Sequence, residues 1–123
     1  MAARDDIEHY LIQIGYPYES VDSNMWVIRN TADVVVTIDP PLIVFRMKLM
    51  EIPGSHRENL FKLLLELNAS QMIHGAYGIE DSNIVLIDTL QVENLDYNEF
   101  QASLDALMLS SSQDYPKLKE FRQ

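Results

Sequence analysis

Apolar residues recur at helical spacing in three long segments of this chain and at strand spacing in five shorter ones. Ile7, Tyr10, Leu11 and Ile14 follow the i, i+3, i+4, i+7 rule and predict a helix over about Asp5–Ile14, stopped by Gly15. Tyr16-Pro17 then breaks the chain, and strand signals follow at Met25–Arg29, Asp33–Asp39 and Leu42–Glu51. The last of these alternates: Ile43, Phe45, Met47 and Leu49 on one face, Leu42, Val44, Arg46 and Lys48 on the other. Pro53-Gly54 ends that block. A second helix is predicted over Ser55–Ala69, a hairpin over Met72–Ile79 and Ile84–Val92 turned by Glu80-Asp81-Ser82-Asn83, and a third helix over Asp96–Leu109. The run Ser110-Ser111-Ser112 is expected to let that helix fray or end, and Asp114-Tyr115-Pro116 to start a short terminal one with Leu118 and Phe121 inward.

Three helix starts carry a capping oxygen three residues before a Glu: Asp5 with Glu8, Ser55 with Glu58, and Asp96 with Glu99. The order is therefore α-β-β-β-α-β-β-α. Strands that arrive in consecutive groups form a mainly antiparallel, twisted sheet with helices packed on it, an α+β fold in one domain over 1–123.

The two main helices differ in apolar width. At about 100° per residue, Phe100, Leu104, Leu107 and Met108 fill roughly 100° of the third helix, enough for one sheet face. Leu60, Phe61, Leu63, Leu64, Leu65 and Leu67 fill roughly 200° of the second. Either that helix is sandwiched within one chain, or its outer edge meets a second copy. A homodimer is expected, with Leu60, Phe61, Leu64, Leu65 and Leu67 as interface candidates.

Charge narrows the partners. The net charge of −10 repels phosphate backbones, so nucleic acid is not expected. From Leu63 to Tyr115 there is no Lys or Arg at all. The absence of cysteine excludes disulfides and thiolate metal sites and fits a cytoplasmic setting. The first residues, MAARDDIEHY, lack a signal peptide's apolar run, and no apolar stretch approaches the roughly 20 residues of a membrane span.

No segment makes a catalytic constellation, so an enzyme is not expected. His9, His56 and His74 have no metal-site spacing. Glu80–Asn83 is ordinary turn chemistry, not a calcium loop. Gly75 and Gly78 lack phosphate-loop spacing, and Ser110–Ser112 have no nucleophile setting. No cofactor and no metal are expected. Trp26 is open to two readings, a core residue or an anchor on an exposed sheet face. Val44, flanked by Arg46 and Lys48, makes a mixed apolar and cationic patch on an acidic protein. Trp26, Leu42, Val44, Arg46 and Lys48 are the client-binding candidates, unless a helix or a second subunit covers that face.

LLLELNAS, then HGAYGIEDSNIVLIDTLQVENLD, then NEFQASLDAL resembles the YbjN-like proteins of bacteria, which are similar in turn to the type III secretion chaperones of the Tir-chaperone kind. Trp26–Ile28 and Pro41–Val44 fit the same pattern, so the resemblance spans most of the chain. It implies the α-β-β-β-α-β-β-α fold, usually as a homodimer, and it brings no catalytic residues. In secretion chaperones an extended client segment wraps over apolar patches on the sheet and flanking helices; YbjN-like proteins are linked instead to regulation. The expectation is a non-enzymatic protein that holds an extended apolar segment of a client. The alternative is a regulatory domain acting through a protein partner or small ligand.

Overall fold

A computed structural model describes residues 3–70 and 74–122. The chain runs α1 (Ala3–Ile14), β1 (Tyr18–Asp22), β2 (Met25–Ile28), β3 (Val34–Asp39), β4 (Leu42–Glu51), α2 (Arg57–Ser70), β5 (Ala76–Glu80), β6 (Asn83–Gln91), α3 (Tyr97–Leu118) and a 3-10 turn (Lys119–Phe121). The six strands form one sheet in the order β1-β2-β3-β4-β6-β5, antiparallel at every pairing. The expected α+β class stands, with one strand more than the spacing flagged. Tyr18–Asp22 is a short, largely exposed edge strand, and its YESVD sequence has no apolar alternation to announce it. Met72 and Ile73 of the expected hairpin lie outside the described residues.

All three helices lie on one face of the sheet. Trp26, Ile28, Val34, Val36, Ile43, Phe45, Met47, Ile84 and Leu86 point to that face and join Ile7 and Leu11 of α1, Leu60, Leu64 and Leu67 of α2, and Phe100, Leu104 and Leu107 of α3 in one buried cluster. Phe100 sits between rings, 5.4 Å from Phe45 and 5.6 Å from Tyr10. Such ring pairs contribute about 0.5–1.5 kcal/mol each beyond burial.

A side-chain cap marks where α3 starts. Asp96 accepts from the Glu99 backbone N–H at 2.8 Å and begins α3 as expected. Asp5 does not begin α1. The helix starts at Ala3, which puts Asp5 and Asp6 in the first turn, where acids favour the helix dipole instead.

The expected break at Ser110–Ser112 does not occur, and α3 runs unbroken to Leu118 with Pro116 inside it. Ser111 turns its hydroxyl back to the Met108 carbonyl at 3.0 Å. Ser111, Asp114 and Leu118 continue the buried stripe begun by Phe100. Tertiary burial of that stripe outweighs the weak helix preference of serine.

The hairpin turn between β5 and β6 places Asp81 and Ser82 at φ 49° and 67°, the left-handed pair that a two-residue turn requires. At the other end of the sheet, Arg29 reaches Glu19 on β1 at 3.0 Å and Asp33 at 2.7 Å. The Asn30 backbone N–H, and then Arg29, hold the Asp33 carboxyl below the usual range.

Candidate protein-binding surface

Alternation along the strands leaves a second sheet face that no described helix covers. Met25 and Val27 of β2, Val35 and Thr37 of β3, Leu42, Val44, Arg46 and Lys48 of β4, and Val85 and Ile87 of β6 share it by register. Val44 is 7 % exposed and Val85 is also buried, yet neither joins the main core. Arg46 is half-buried and bonded to Glu80 at 3.3 Å, while Lys48 is exposed. Four of the five client-binding candidates thus lie together, an apolar strip with two bases.

Trp26 is the exception and does not belong there. It is fully buried on the helix face, paired across the sheet with Val36. Its indole N–H points to Glu8 at 3.4 Å, and the Arg4 guanidinium lies 5.3 Å from its ring centre while bonding Glu8 at 3.0 Å. Between the two sequence readings, core packing holds. Its work is to fasten α1 to the sheet.

The wide apolar arc of α2 is mostly absorbed within one chain. Leu60, Leu64 and Leu67 are buried in the core, and Phe61 and Leu63 are partly buried against it. Those three leucines are not free to meet a second subunit. Leu65 is 68 % exposed and stands one helical turn from Phe61.

The sheet has two edges, and they differ. The backbone bonds Arg29 N–H to Pro17 O and Ile38 N–H to Asn24 O fix the alternation along every ladder. On β1 this turns the N–H and C=O of Tyr18 and Ser20 away from β2. Arg4 closes the far end of that edge through the carbonyls of Asp22 and Ser23. On β5 the outward residues are Tyr77 and Ile79, and the Asn68 side chain bonds Tyr77 at both its N–H and its C=O. Sequence spacing had not pointed to either edge.

The histidines are scattered. His9 and His56 are exposed on α1 and just before α2, and His74 lies ahead of β5 with Nδ1 3.9 Å from Asp88 Oδ2. Among the described residues that Asp88 oxygen and Ser103 Oγ, both buried, find no hydrogen-bond partner. Among the described residues no group of three His, Cys, Asp or Glu side chains could hold a metal ion, and no helix is long and apolar enough to cross a membrane. An open pocket of about 350 Å³ lies between the end of β4 and the end of α3, with Arg122 bonded to Tyr115 OH at its rim.

Solved structures share this architecture. A chain of the heterodimeric ExoU–SpcU complex from the type III secretion system of Pseudomonas aeruginosa superposes with a TM-score of 0.73 at 17 % identity, covering 89 % of this chain and 95 % of that one. A chain of the Yersinia pestis type III secretion chaperone SycH in complex with a fragment of YscM2 gives 0.67 at 13 % identity, with 91 % and 98 % covered. YbjN from E. coli gives 0.69 at 17 % identity, with 92 % and 91 % covered. At such identities the likeness is one of fold. No curated protein sequence matches the chain. The CesT_Tir_1 profile, by contrast, matches residues 2–123, almost the whole sequence. The chain therefore belongs to the CesT_Tir_1 family of type III secretion chaperones.

Proposed function

We propose that this protein is a non-enzymatic chaperone that holds an extended apolar segment of a client protein against the helix-free face of its sheet. The observation that carries the reading is that face. Leu42 and Val44 lie on it beside Met25, Val27, Val35, Val85 and Ile87, with Arg46 and Lys48 as the bases among them. An extended client laid there would bury alternate apolar side chains and keep its backbone free to pair with a strand edge. The outward backbone groups of Tyr18 and Ser20 on β1 offer such an edge. Arg46 and Lys48 favour a client segment with acidic residues among its apolar ones. The family and the chaperone complexes of similar fold support this reading.

The working unit in this proposal is a homodimer in the bacterial cytoplasm, joined through the exposed side of α2 at Leu65 and Phe61. The fold of YbjN favours a second reading, a regulatory domain acting through a protein partner or small ligand.

A photo-crosslinking residue at position 42 or 48, in cells that make the protein natively, tests both readings. A crosslink to one secreted polypeptide, abolished by Val44→Asp with Arg46→Glu while the variant stays folded, is the expected result. Crosslinking that survives the double substitution moves the client elsewhere. A crosslink to a regulator instead supports the second reading.

A further inference from the structure

Glycine weakens the interior of a strand, and it is found there where the backbone bulges, bends or is closely approached. Gly78 stands in the middle of β5. Its ladder to β6 runs without a shift from Ala76–Ile87 to Glu80–Asn83, and its φ is not positive. Nor does the fold crowd it. Among the described residues an added Cβ at Gly78 would meet no atom within 4 Å. The register sets Gly78 on the helix-free face beside Val85, with Lys48 next in the same row. An aromatic side chain laid across a strand glycine shields its bare backbone, but the cross-strand neighbour here is a valine. The room over Gly78 is therefore open to a side chain from outside.

A charge stands beside that room. Arg46, on the same face of β4, reaches diagonally to Glu80 at the end of β5, 3.3 Å away. The diagonal crosses Val85, which is 5 % exposed, and ends one same-face position beyond Gly78. Both side chains of the pair stay more than a third open to water, at 43 % and 41 %. Such a pair is worth little, so a second carboxylate can take the place of Glu80.

We propose that Gly78 is the floor of a subsite for one aromatic side chain of an extended polypeptide, and that Arg46 leaves Glu80 to bind a carboxylate two residues away from that aromatic. Residues two apart in an extended segment share a face, which matches the spacing of successive rows on the sheet. The aromatic ring covers the bare backbone of Gly78 and the edge of Val85. Glu80 acts as the internal competitor that a segment without an acid fails to displace. This inference rests on the reading of the helix-free face as the client-holding surface and adds the pattern that the face selects, an aromatic and an acid at i and i+2.

The test uses fluorescence anisotropy with three labelled synthetic peptides that alternate valine with serine. One carries a tryptophan with an aspartate two residues later. The others replace that tryptophan by alanine or that aspartate by asparagine. The parent protein is expected to bind the tryptophan peptide about tenfold more tightly than the alanine one. Gly78→Val fills the floor with a residue that suits a strand and has room there, and it is expected to bring those two affinities within about twofold. Glu80→Gln releases Arg46 and is expected to raise the preference for aspartate over asparagine about threefold. Circular dichroism establishes that both variants are folded. A folded Gly78→Val protein that keeps the full tryptophan preference overturns the proposal. So does a parent that binds without that preference, or a Glu80→Gln protein whose aspartate preference is unmoved. A parent that binds none of the three peptides overturns the reading of the face itself, and the subsite with it.

Discussion

The Tyr77 hydroxyl on β5 donates a 2.6 Å hydrogen bond to Asp114 Oδ2 on α3, and both side chains are buried. The distance is that of a charge-assisted bond. It ties the short edge hairpin to the distal half of the long helix, the half that sequence spacing would have cut away. Burial first, and then the bond to Asp114, push the Tyr77 hydroxyl well above its ordinary ionisation range.

Removing the donor leaves the carboxyl buried without its partner. Tyr77→Phe is expected to cost about 1–3 kcal/mol. At roughly 3–4 °C per kcal/mol for a chain of this size, calorimetry would show a clear drop in Tm. Asp114→Asn keeps an acceptor and should cost less. A Tyr77→Phe variant as stable as the parent would mean that the bond contributes nothing net.

The same pair sets an alkaline limit. A group whose pKa is raised on folding contributes stability in full below its unfolded value and loses it as pH rises towards the folded one. For Tyr77 the loss begins near pH 10, the unfolded value, at about 1.4 kcal/mol for each pH unit. Denaturant titrations from neutral pH upward should show this slope in the parent and a shallower one in Tyr77→Phe. Parallel slopes would place the alkaline sensitivity in other tyrosines.

Gly75 precedes β5 at φ 80°, and an added Cβ would lie 2.8 Å from the Ile87 carbonyl oxygen and 2.9 Å from Leu107 Cδ2. Gly75→Ala therefore combines left-handed strain with overpacking and is expected to cost about 2–4 kcal/mol. Gly15 has φ 87° but open space around it. Gly15→Ala should cost only about 1–2 kcal/mol. Chemical denaturation of both variants checks the order, and a reversal would contradict the close contact.

The two acidic helix starts should separate under mutation. Asp96→Ala removes the bond to the Glu99 N–H and is expected to cost about 1 kcal/mol. Asp5→Ala removes only a first-turn charge, worth about 0.3–1 kcal/mol at low salt, and its effect should fade as salt is added. Urea titrations at two ionic strengths distinguish cap from charge.

On α2, neighbouring leucines should behave in opposite ways. Leu64→Glu places a charge in the core and is expected to unfold the chain. Leu65→Glu sits on exposed surface and should leave the fold intact while reducing a dimer to monomer. Light scattering and circular dichroism on the two variants give the answer. A Leu65→Glu protein that stays dimeric places the interface elsewhere.

What the sequence made legible follows from periodicity. Phe45, Met47 and Ile43 alternate strictly, and their strand and face are found where the pattern put them. The same alternation placed Leu42, Val44, Arg46 and Lys48 together. β1 escaped notice because Tyr18–Asp22 is an edge, and an exposed edge strand has no buried side chains to set a pattern. The serine run misled for a related reason. Its local preference is weak, and the burial of Ser111, Asp114 and Leu118 depends on partners distant in sequence. Trp26 could not be assigned, since a single residue has no period. The two sheet edges turn on backbone direction and one amide, and neither leaves a trace in spacing.

The placement of β6 between β4 and β5 has a consequence for how the chain acquires its shape. α1 and the first four strands form a meander of neighbours in sequence, and β5–β6 is a local hairpin. Among the described residues only the ladder from Leu42–Gln91 to Glu51–Asn83 pairs a strand of one group with a strand of the other. It cannot close until α2 has been made and the chain has doubled back, so the entropy of that long loop falls on this one step. During synthesis β4, the longest strand, emerges well before β6, and for that interval its edge away from β3 has no partner strand. The early nascent chain is thus itself open to strand addition, at the place that later becomes the middle of the sheet.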